Sequence, residues 1–97
     1  MVRSRNYIAT PPGATIQEQL DDRNMSQKEF AARMGMSEEH ISKLIHGEVQ
    51  LTPETGIRLE MVLGIPAKFW NNLEANYREK MIMAEAKNEM DADVENV

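Results

Sequence analysis

The chain has 97 residues, a formal net charge of −5 at pH 7 and no cysteine. A chain of this length forms one domain with a modest core, and the lack of cysteine excludes a fold stapled by disulfides. The longest apolar run, residues 81–84, is far shorter than the roughly 20 residues that span a bilayer, and no signal-peptide core is present, so we expect a cytoplasmic protein without membrane contact.

The negative charge of the chain is concentrated at its C-terminal end. Residues 85–97 hold five acids and one lysine and account for −4 of the net charge, which leaves −1 for residues 1–84. Residues 1–84 are therefore nearly neutral, without the basic excess that nucleic-acid-binding domains usually carry.

The first elements in chain order are an arm and a short helix. Residues 1–12 contain two arginines and a proline pair without hydrophobic periodicity, which is typical of an extended arm. Ile16 and Leu20 then lie four residues apart among charged residues. This spacing predicts an amphipathic helix over about residues 13–24.

The clearest local signal in the chain is the start of a second helix. Ser26 and Glu29 form the S-x-x-E capping box, in which each side chain bonds the backbone N–H of the other residue. Met25 and Phe30 occupy the two positions of the hydrophobic staple that accompanies such a box. Gly35 is placed to end this helix in the left-handed conformation.

A third helix begins almost at once. Ser37 is its predicted N-cap, and Gly47 is its predicted end. Met36 and Ile41 are spaced as its staple. Two short helices are thus joined by a tight glycine turn.

A fourth helix is predicted from Thr52 and Pro53, an N-cap hydroxyl followed by proline at the first helical position. Gly64 is placed to end it. Its apolar residues fall on two adjoining lines, which are Ile57 with Met61 and Leu59 with Leu63.

A fifth, longer helix follows Pro66, with apolar residues at spacings of three and four: Phe69, Trp70, Leu73, Tyr77, Met81 and Ala84. Such a stripe is typical of core, although Trp70, Tyr77 and Met81 are also candidates for a dimer or partner interface. For residues 85–97 the composition favours a frayed, solvated tail. The alternative is a helix that orders against a protein partner, because apolar residues continue at helical spacing.

The sequence therefore predicts an all-α fold of five helices with an extended C-terminal helix, since neither strand-like alternation nor an internal repeat occurs. The expected organisation is an arm at residues 1–12, a domain at 13–84 with a helix-turn-helix at 26–47, and an acidic tail at 85–97.

The segment 26–47 has the order helix, tight turn, helix, and its apolar residues would hold the two helices together: Phe30, Ala31, Met34, Ile41, Leu44 and Ile45. In a helix-turn-helix the second helix enters the major groove of DNA and the first lies across the backbone. The pattern favours DNA binding. Helical corners in bundles share it, so a purely structural corner is the alternative.

Further motifs surround this segment, namely Pro12-Gly13, Ser26-Gln27, Ile41-Ser42, Ile45-x-Gly47, LTPET at 51–55, Arg58-Leu59, Leu63-Gly64 and Phe69-Trp70-x-x-Leu73. Over about residues 10–77 they resemble the HigA-type (VapI-like) antitoxins of the XRE family, whose fold is lambda-repressor-like. The resemblance implies a homodimer that binds double-stranded operator DNA, represses its own operon and neutralises a ribonuclease toxin. Similar domains also precede ImmA/IrrE-like metallopeptidase regions, and the acidic tail resembles such a junction, so a peptidase-type protein partner is an alternative.

The candidates for contact with DNA bases are the residues that point away from the apolar side of the third helix: Glu38, Glu39, Ser42, Lys43 and His46, with His40 at the boundary. The resemblance implies that Gln27 bonds a phosphate or braces the recognition helix, and Lys28 could add a charge. Further candidate phosphate ligands are Arg3, Arg5 and Arg33. The plainer alternatives are a solvated Glu29–Arg33 ion pair and a disordered arm.

Glu38 and Glu39 depart from the Arg, Gln or Thr that family members more usually carry at these places. Carboxylates in a first helical turn are stabilised by the helix dipole, and Glu39 can pair with Lys43, so a structural role is the simpler interpretation. A glutamate can also accept from cytosine N4 in the major groove and disfavour other bases, which would be recognition partly by exclusion. The sequence leaves both interpretations open.

No pattern for catalysis or for a cofactor is present, because HExxH, a glycine-rich phosphate loop and a nucleophile–base pair do not occur. His40 and His46 lie six residues apart, on different faces of a helix, which argues against a shared zinc site. We therefore expect a protein that is not an enzyme and needs no cofactor or metal.

Overall fold

The computed structural model describes residues 10–96 of the chain, and side chains within residues 10–87. Over this part the secondary structure consists of five helices: α1 Pro12–Asp22, α2 Gln27–Met34, α3 Glu38–Ile45, α4 Pro53–Leu63 and α5 Ala67–Asn96. The predicted all-α, five-helix fold with a long last helix is confirmed. Arg3 and Arg5 lie outside the described residues, so the structure does not bear on their proposed contacts.

Side-chain hydroxyls start α2, α3 and α4, as the sequence predicts. Each accepts a hydrogen bond from the N–H three residues later, at 3.0 Å for Ser26, 3.0 Å for Ser37 and 3.2 Å for Thr52. Such caps satisfy donors that the first turn of a helix leaves unpaired. Only this half of the predicted capping box is observed in α2, since the Glu29 carboxylate bonds Arg33 Nη2 at 2.7 Å.

Left-handed residues follow the ends of α1, α2, α3 and α4, and after α3 this residue is the predicted Gly47, with φ 77°. Gly35 and Gly64 have φ of 70° and 78°, and they follow the last residues of α2 and α4 as predicted. Asn24, with φ 58°, follows the end of α1 and is a residue type that tolerates this conformation. The chain can therefore reverse direction within a few residues at each of these points.

One hydrophobic core joins all five helices. Its fully or almost fully buried members are Ile16, Leu20, Phe30, Ala31, Met34, Ile41, Leu44, Ile45, Leu51, Leu59, Leu63 and Trp70. In α4 only one of the two predicted lines of apolar residues belongs to this core. Leu59 and Leu63 are buried, whereas Ile57 and Met61 expose 54% and 80% of their surface.

Helix α5 is longer than the domain it packs against. Its 30 residues span about 45 Å at 1.5 Å per residue, and the molecule measures 53 × 22 × 21 Å. The helix packs on α4 and α1, and in its later half Ile82 and Met83 are exposed. The backbone is helical through residues 85–96, where the composition favours a frayed tail, and the choice between a solvated tail and one that orders against a partner stays a prediction. Within the described part of the chain, no helix is long and apolar enough to cross a membrane.

Candidate nucleic-acid interface

Helices α2 and α3 form a compact corner that presents one side of α3 to the outside. Ile41, Leu44 and Ile45 on α3 are buried, as are Phe30 and Ala31 on α2. The core thus fixes α3 along its inner side, and helices α1 and α2 both pack against it. What remains outside is a short, supported helix, which is the geometry that groove insertion requires.

The outer side of α3 carries the residues that the sequence identified as candidates. Exposed side chains are those of Glu38, Glu39, His40, Lys43 and His46, and Ser42 is half-buried. His40, which was expected at the boundary, is exposed. The structure therefore brings the six candidate base contacts together on one surface.

The two glutamates lie at the start of α3, beside the Ser37 cap. Glu39 Oε2 is 3.5 Å from Lys43 Nζ, and the two side chains expose 80% and 48% of their surface. This ion pair is the one expected for a structural role, but exposed pairs contribute little stability, about 0.3–0.5 kcal/mol for this spacing on a helix. Both carboxylates also lie on the exposed outer side of α3, so the geometry is compatible with either role.

His46 is tied to the end of α3. Its Nδ1 lies 2.7 Å from the carbonyl oxygen of Ser42. Because a carbonyl oxygen only accepts, Nδ1 carries the proton in this contact, and Nε2 is left to accept from a ligand when the ring is neutral. Among the residues that the structure describes, no cluster of three or more His, Cys, Asp or Glu side chains could hold a metal ion.

The candidate phosphate ligands on α2 have different surroundings. Gln27 is half-buried, and its Nε2 donates to Gln17 Oε1 at 3.3 Å, which ties the first turn of α2 to α1. Lys28 is exposed. Arg33 forms its ion pair with Glu29 at 2.7 Å, as the plainer alternative predicts. Lys28 is therefore the more available cation on this helix.

The candidate interface residues on α5 divide between core and surface. Trp70 is completely buried, so it cannot contact a partner that docks on the outer surface, and that part of the interface expectation is corrected. Tyr77 and Met81 are half-buried. Exposed apolar side chains lie further along, at Ile82 and Met83, which the sequence analysis did not select as interface candidates.

Three residues that support the corner were not assigned a structural role from the sequence. Gly13 lets the first turn of α1 approach α3 so closely that a Cβ there would overlap the backbone of Ile45. Glu74 Oε1 accepts from the Leu51 N–H at 3.2 Å and so holds the loop after α3. Arg58 Nη1 donates to the Met34 carbonyl at 2.7 Å. Only Gly13 and Arg58 stood in motifs, and no local spacing points to these contacts.

Comparison with known sequences gives the same domain. The sequence model of the helix-turn-helix family matches residues 16–70, more than half of the chain. The uncharacterized HTH-type transcriptional regulator YddM of Escherichia coli K12 is 43% identical over 63 residues, which are 65% of this chain and 67% of that protein.

Solved structures share the fold over nearly the whole chain. An addiction module antidote protein of a HigA family from Coxiella burnetii superposes with a TM-score of 0.77, at 24% identity over 87% of this chain and 92% of that one. The Pseudomonas aeruginosa antitoxin HigA, solved with the higBA promoter, gives 0.78 at 20% identity, over 86% and 91%. A putative antidote protein of a plasmid maintenance system from Nostoc punctiforme gives 0.71 at 28% identity, over 91% and 92%.

The sequence matches and the structure indicate the same kind of protein. The matched domain includes the corner of α2 and α3, with its serine caps and glycine turn, and α3 has a polar outer side. The chain belongs to the XRE-type helix-turn-helix family and is a DNA-binding transcription regulator with a lambda-repressor-like fold.

Proposed function

We propose that this protein is an autorepressor that binds its operator as a homodimer and serves as the antitoxin of a toxin–antitoxin pair, neutralising a ribonuclease toxin. The observation that carries the DNA-binding part is the outer side of α3. It presents Glu38, Glu39, His40, Ser42, Lys43 and His46 from a helix whose opposite side is locked in the core. The core holds the backbone of α3 in place before binding. The exposed side chains can therefore be presented to the edges of the bases from a rigid helix.

Each group of candidate residues has its own part in this proposal. Lys43 supplies donors, His46 offers Nε2 as an acceptor, and the glutamates accept from cytosine N4 or repel other edges. Lys28 contacts a phosphate on the flanking backbone, and Gln27 braces α2 against α1 through Gln17. Contacts of this second kind position the domain without reading sequence.

A homodimer is proposed because one short recognition helix reads few base pairs. Helix-turn-helix dimers place two such helices in successive major grooves, about 34 Å apart. Half-buried Tyr77 and Met81 on α5 are the remaining candidates for the dimer contact. The antitoxin part draws support from the Nostoc punctiforme relative, which is described as a putative antidote protein and is 28% identical over 91% of this chain.

Titration of a labelled DNA duplex followed by fluorescence anisotropy tests the repressor proposal. One duplex holds the region upstream of the protein's own gene, and the other holds the same bases in scrambled order. We expect tighter binding to the upstream duplex at both a low and a moderate salt concentration. Equal, weak binding to the two duplexes at both salt concentrations would contradict the proposal.

Replacing Glu39 with glutamine tests recognition by exclusion. The change removes an exposed negative charge from the groove-facing side and releases Lys43 from its ion pair. We expect binding to both duplexes to tighten by a few fold, more on scrambled DNA, so that discrimination falls. Glu79→Gln makes the same charge change on an exposed part of α5 and should leave discrimination unaltered. If Glu39→Gln changes only stability, the residue caps the helix and does not select bases.

Co-expression tests the antitoxin part. The product of the neighbouring open reading frame should arrest growth when expressed alone and should not do so when this protein is present. Purified together, the two should form a complex that cleaves RNA more slowly than the neighbour alone. A neighbour that is harmless, or one whose ribonuclease activity this protein leaves unchanged, would contradict the antitoxin role and leave the repressor role standing.

A second candidate function is a protein-interaction module associated with an ImmA/IrrE-like metallopeptidase, with weak or no DNA binding. Two observations favour it: the acidic first turn of α3, and the continuation of α5 as a helix with exposed Ile82 and Met83. The anisotropy titration separates this candidate from the repressor, because it predicts no preference for the upstream duplex.

A further inference from the structure

The turn between α2 and α3 sets the direction in which the recognition helix leaves α2. Gly35 N–H and Met36 N–H donate back to the carbonyls of Ala32 and Ala31, at 3.2 and 3.0 Å. These bonds close the end of α2 and leave the carbonyl of Met34, its last residue, without an intrahelical donor. The partner of this carbonyl comes from another helix.

That partner is Arg58, which lies in the middle of α4. Its Nη1 donates to the Met34 carbonyl at 2.7 Å, a short contact of the charge-assisted kind. The same nitrogen lies 3.0 Å from where a Cβ on Gly35 would stand. The guanidinium thus rests directly against the left-handed residue of the turn, where a side chain would crowd it.

The other side of the guanidinium is also held. Nη2 donates to Glu54 Oε2 at 3.0 Å, one turn earlier on α4. The backbone beside Arg58 is fixed because Leu59, the next residue, is fully buried in the core. Arg58 therefore reaches the turn from a rigid base with its planar group aimed by Glu54, an arrangement that a lysine could not reproduce.

We propose that Arg58 is a positioning residue for DNA recognition: by clamping the end of α2 to α4 it fixes the direction of α3. The proposal rests on the DNA-reading role proposed for α3. It predicts that Arg58 contributes to the choice between DNA sequences and not to the general attraction for phosphate. The competing explanation is a direct phosphate contact by Arg58, which would strengthen binding to every sequence equally.

Arg58→Met is the variant that tests the clamp, with Arg23→Met as its matched control. Arg23 Nη2 donates to the carbonyl of Leu63, the last residue of α4, also at 2.7 Å. The control therefore removes the same kind of bond at the end of a different helix and leaves the α2–α3 turn intact. Thermal unfolding of both variants checks that each remains folded and that their losses of stability are comparable.

The readout is the ratio of Kd for scrambled DNA to Kd for upstream DNA, with the salt dependence of each. For Arg58→Met we expect the ratio to fall about tenfold, with the slope of log affinity against log salt unchanged. Arg58→Lys should keep only part of the ratio, because a single ammonium nitrogen lacks the planar fork by which Nη1 reaches the Met34 carbonyl while Nη2 holds Glu54. Arg23→Met should keep the ratio of the parent protein.

Amide hydrogen exchange gives a readout that needs no DNA. In Arg58→Met the amides of Gly35 and Met36 should exchange faster, since the turn loses its outside support, while Arg23→Met leaves them protected. A parent protein without sequence preference would contradict the proposed function, and faster exchange at the turn would still support the clamp.

Three results would overturn the inference. The first is a discrimination ratio in Arg58→Met equal to that of a parent protein that does prefer the upstream duplex. The second is uniform weakening on both duplexes with a salt slope shallower by about one, which identifies a phosphate ligand. The third is unchanged exchange at Gly35 and Met36.

Discussion

At the scale of single residues, hydroxyl caps define where α2, α3 and α4 begin. Ser26, Ser37 and Thr52 each accept from an N–H three residues later, and each such cap contributes about 1 kcal/mol. The Ser37 cap bears most directly on the proposed DNA-binding surface, because it fixes the first turn of α3, where Glu38 and Glu39 lie.

Ser37→Ala should therefore destabilise the protein by about 1 kcal/mol through loss of the cap. Urea unfolding measures the change. Ser42→Ala is the control, since Ser42 lies inside α3 and alanine is the better helix former there, so its effect should stay within about 0.5 kcal/mol. An equal fall in the free energy of unfolding in the two variants would show that the Ser37 cap does not stabilise the protein more than an ordinary serine within α3.

The residues that were predicted correctly from the sequence are those whose partners lie within a few positions. Caps and left-handed glycines belong to this group, and so does the Glu39–Lys43 ion pair. The clamp of Arg58 on Met34 joins residues 24 positions apart, and no local pattern encodes it. Glu29 shows the limit of even a local motif, because its carboxylate could reach back to Ser26 or forward to Arg33, and it bonds Arg33.

At the scale of helices, the backbone at the start of α1 lies directly against the backbone at the end of α3. A Cβ on Gly13 would overlap the carbonyl and Cα of Ile45, which lies in the last turn of the recognition helix. Backbone against backbone leaves no flexible side chain to yield. The start of α1 thus limits how closely the end of α3 can approach it, and so helps to fix the position of α3.

Gly13→Ala should push these helices apart, destabilising the protein by about 1–3 kcal/mol and lowering the preference for upstream DNA. Gly64→Ala is the comparison, because its Cβ would meet nothing within 4 Å and only its φ of 78° penalises the change, by about 1–2 kcal/mol. It should lose stability without losing DNA preference. If both variants keep the preference, the contact does not position α3.

The helices themselves were predictable because their apolar spacing and their capping residues depend only on residues that are close in the sequence. Which side of α4 faces inward was not, since Ile57 with Met61 and Leu59 with Leu63 form equally apolar lines, and packing against α5 buries the second line. Trp70 was ambiguous for the same reason. An apolar stripe predicts burial, but whether it is buried by the chain itself or by a partner depends on the tertiary arrangement.

At the scale of the whole molecule, a nearly neutral domain is joined to an acidic helical extension. Among residues 10–87, whose side chains are described, the buried apolar residues run from Ile16 to Trp70, whereas −4 of the net charge of −5 lies in residues 85–97. Fold and acidity are therefore carried by separate parts of the chain. Composition predicted this division, but it did not predict that residues 85–96 would be helical.

Removal of residues 85–97 should leave cooperative unfolding and DNA preference intact, because the deletion keeps every buried core residue that the structure describes. Affinity for all DNA should rise at low salt, since the deletion removes net negative charge. Any complex with a toxin or effector should be lost. A full-length variant with the five acids changed to amides separates charge from helix length. Deletion that abolishes folding, or that changes neither DNA affinity nor complex formation, would contradict this assignment.

We infer that the outer side of α3 is the surface that meets DNA. Amide chemical shifts of the full chain during titration with the upstream duplex test it most directly. We predict the largest changes at residues 38–46 and at Gln27 and Lys28, with little change at residues 82–96. Changes confined to α5, or none on α3 while the duplex is bound, would contradict it.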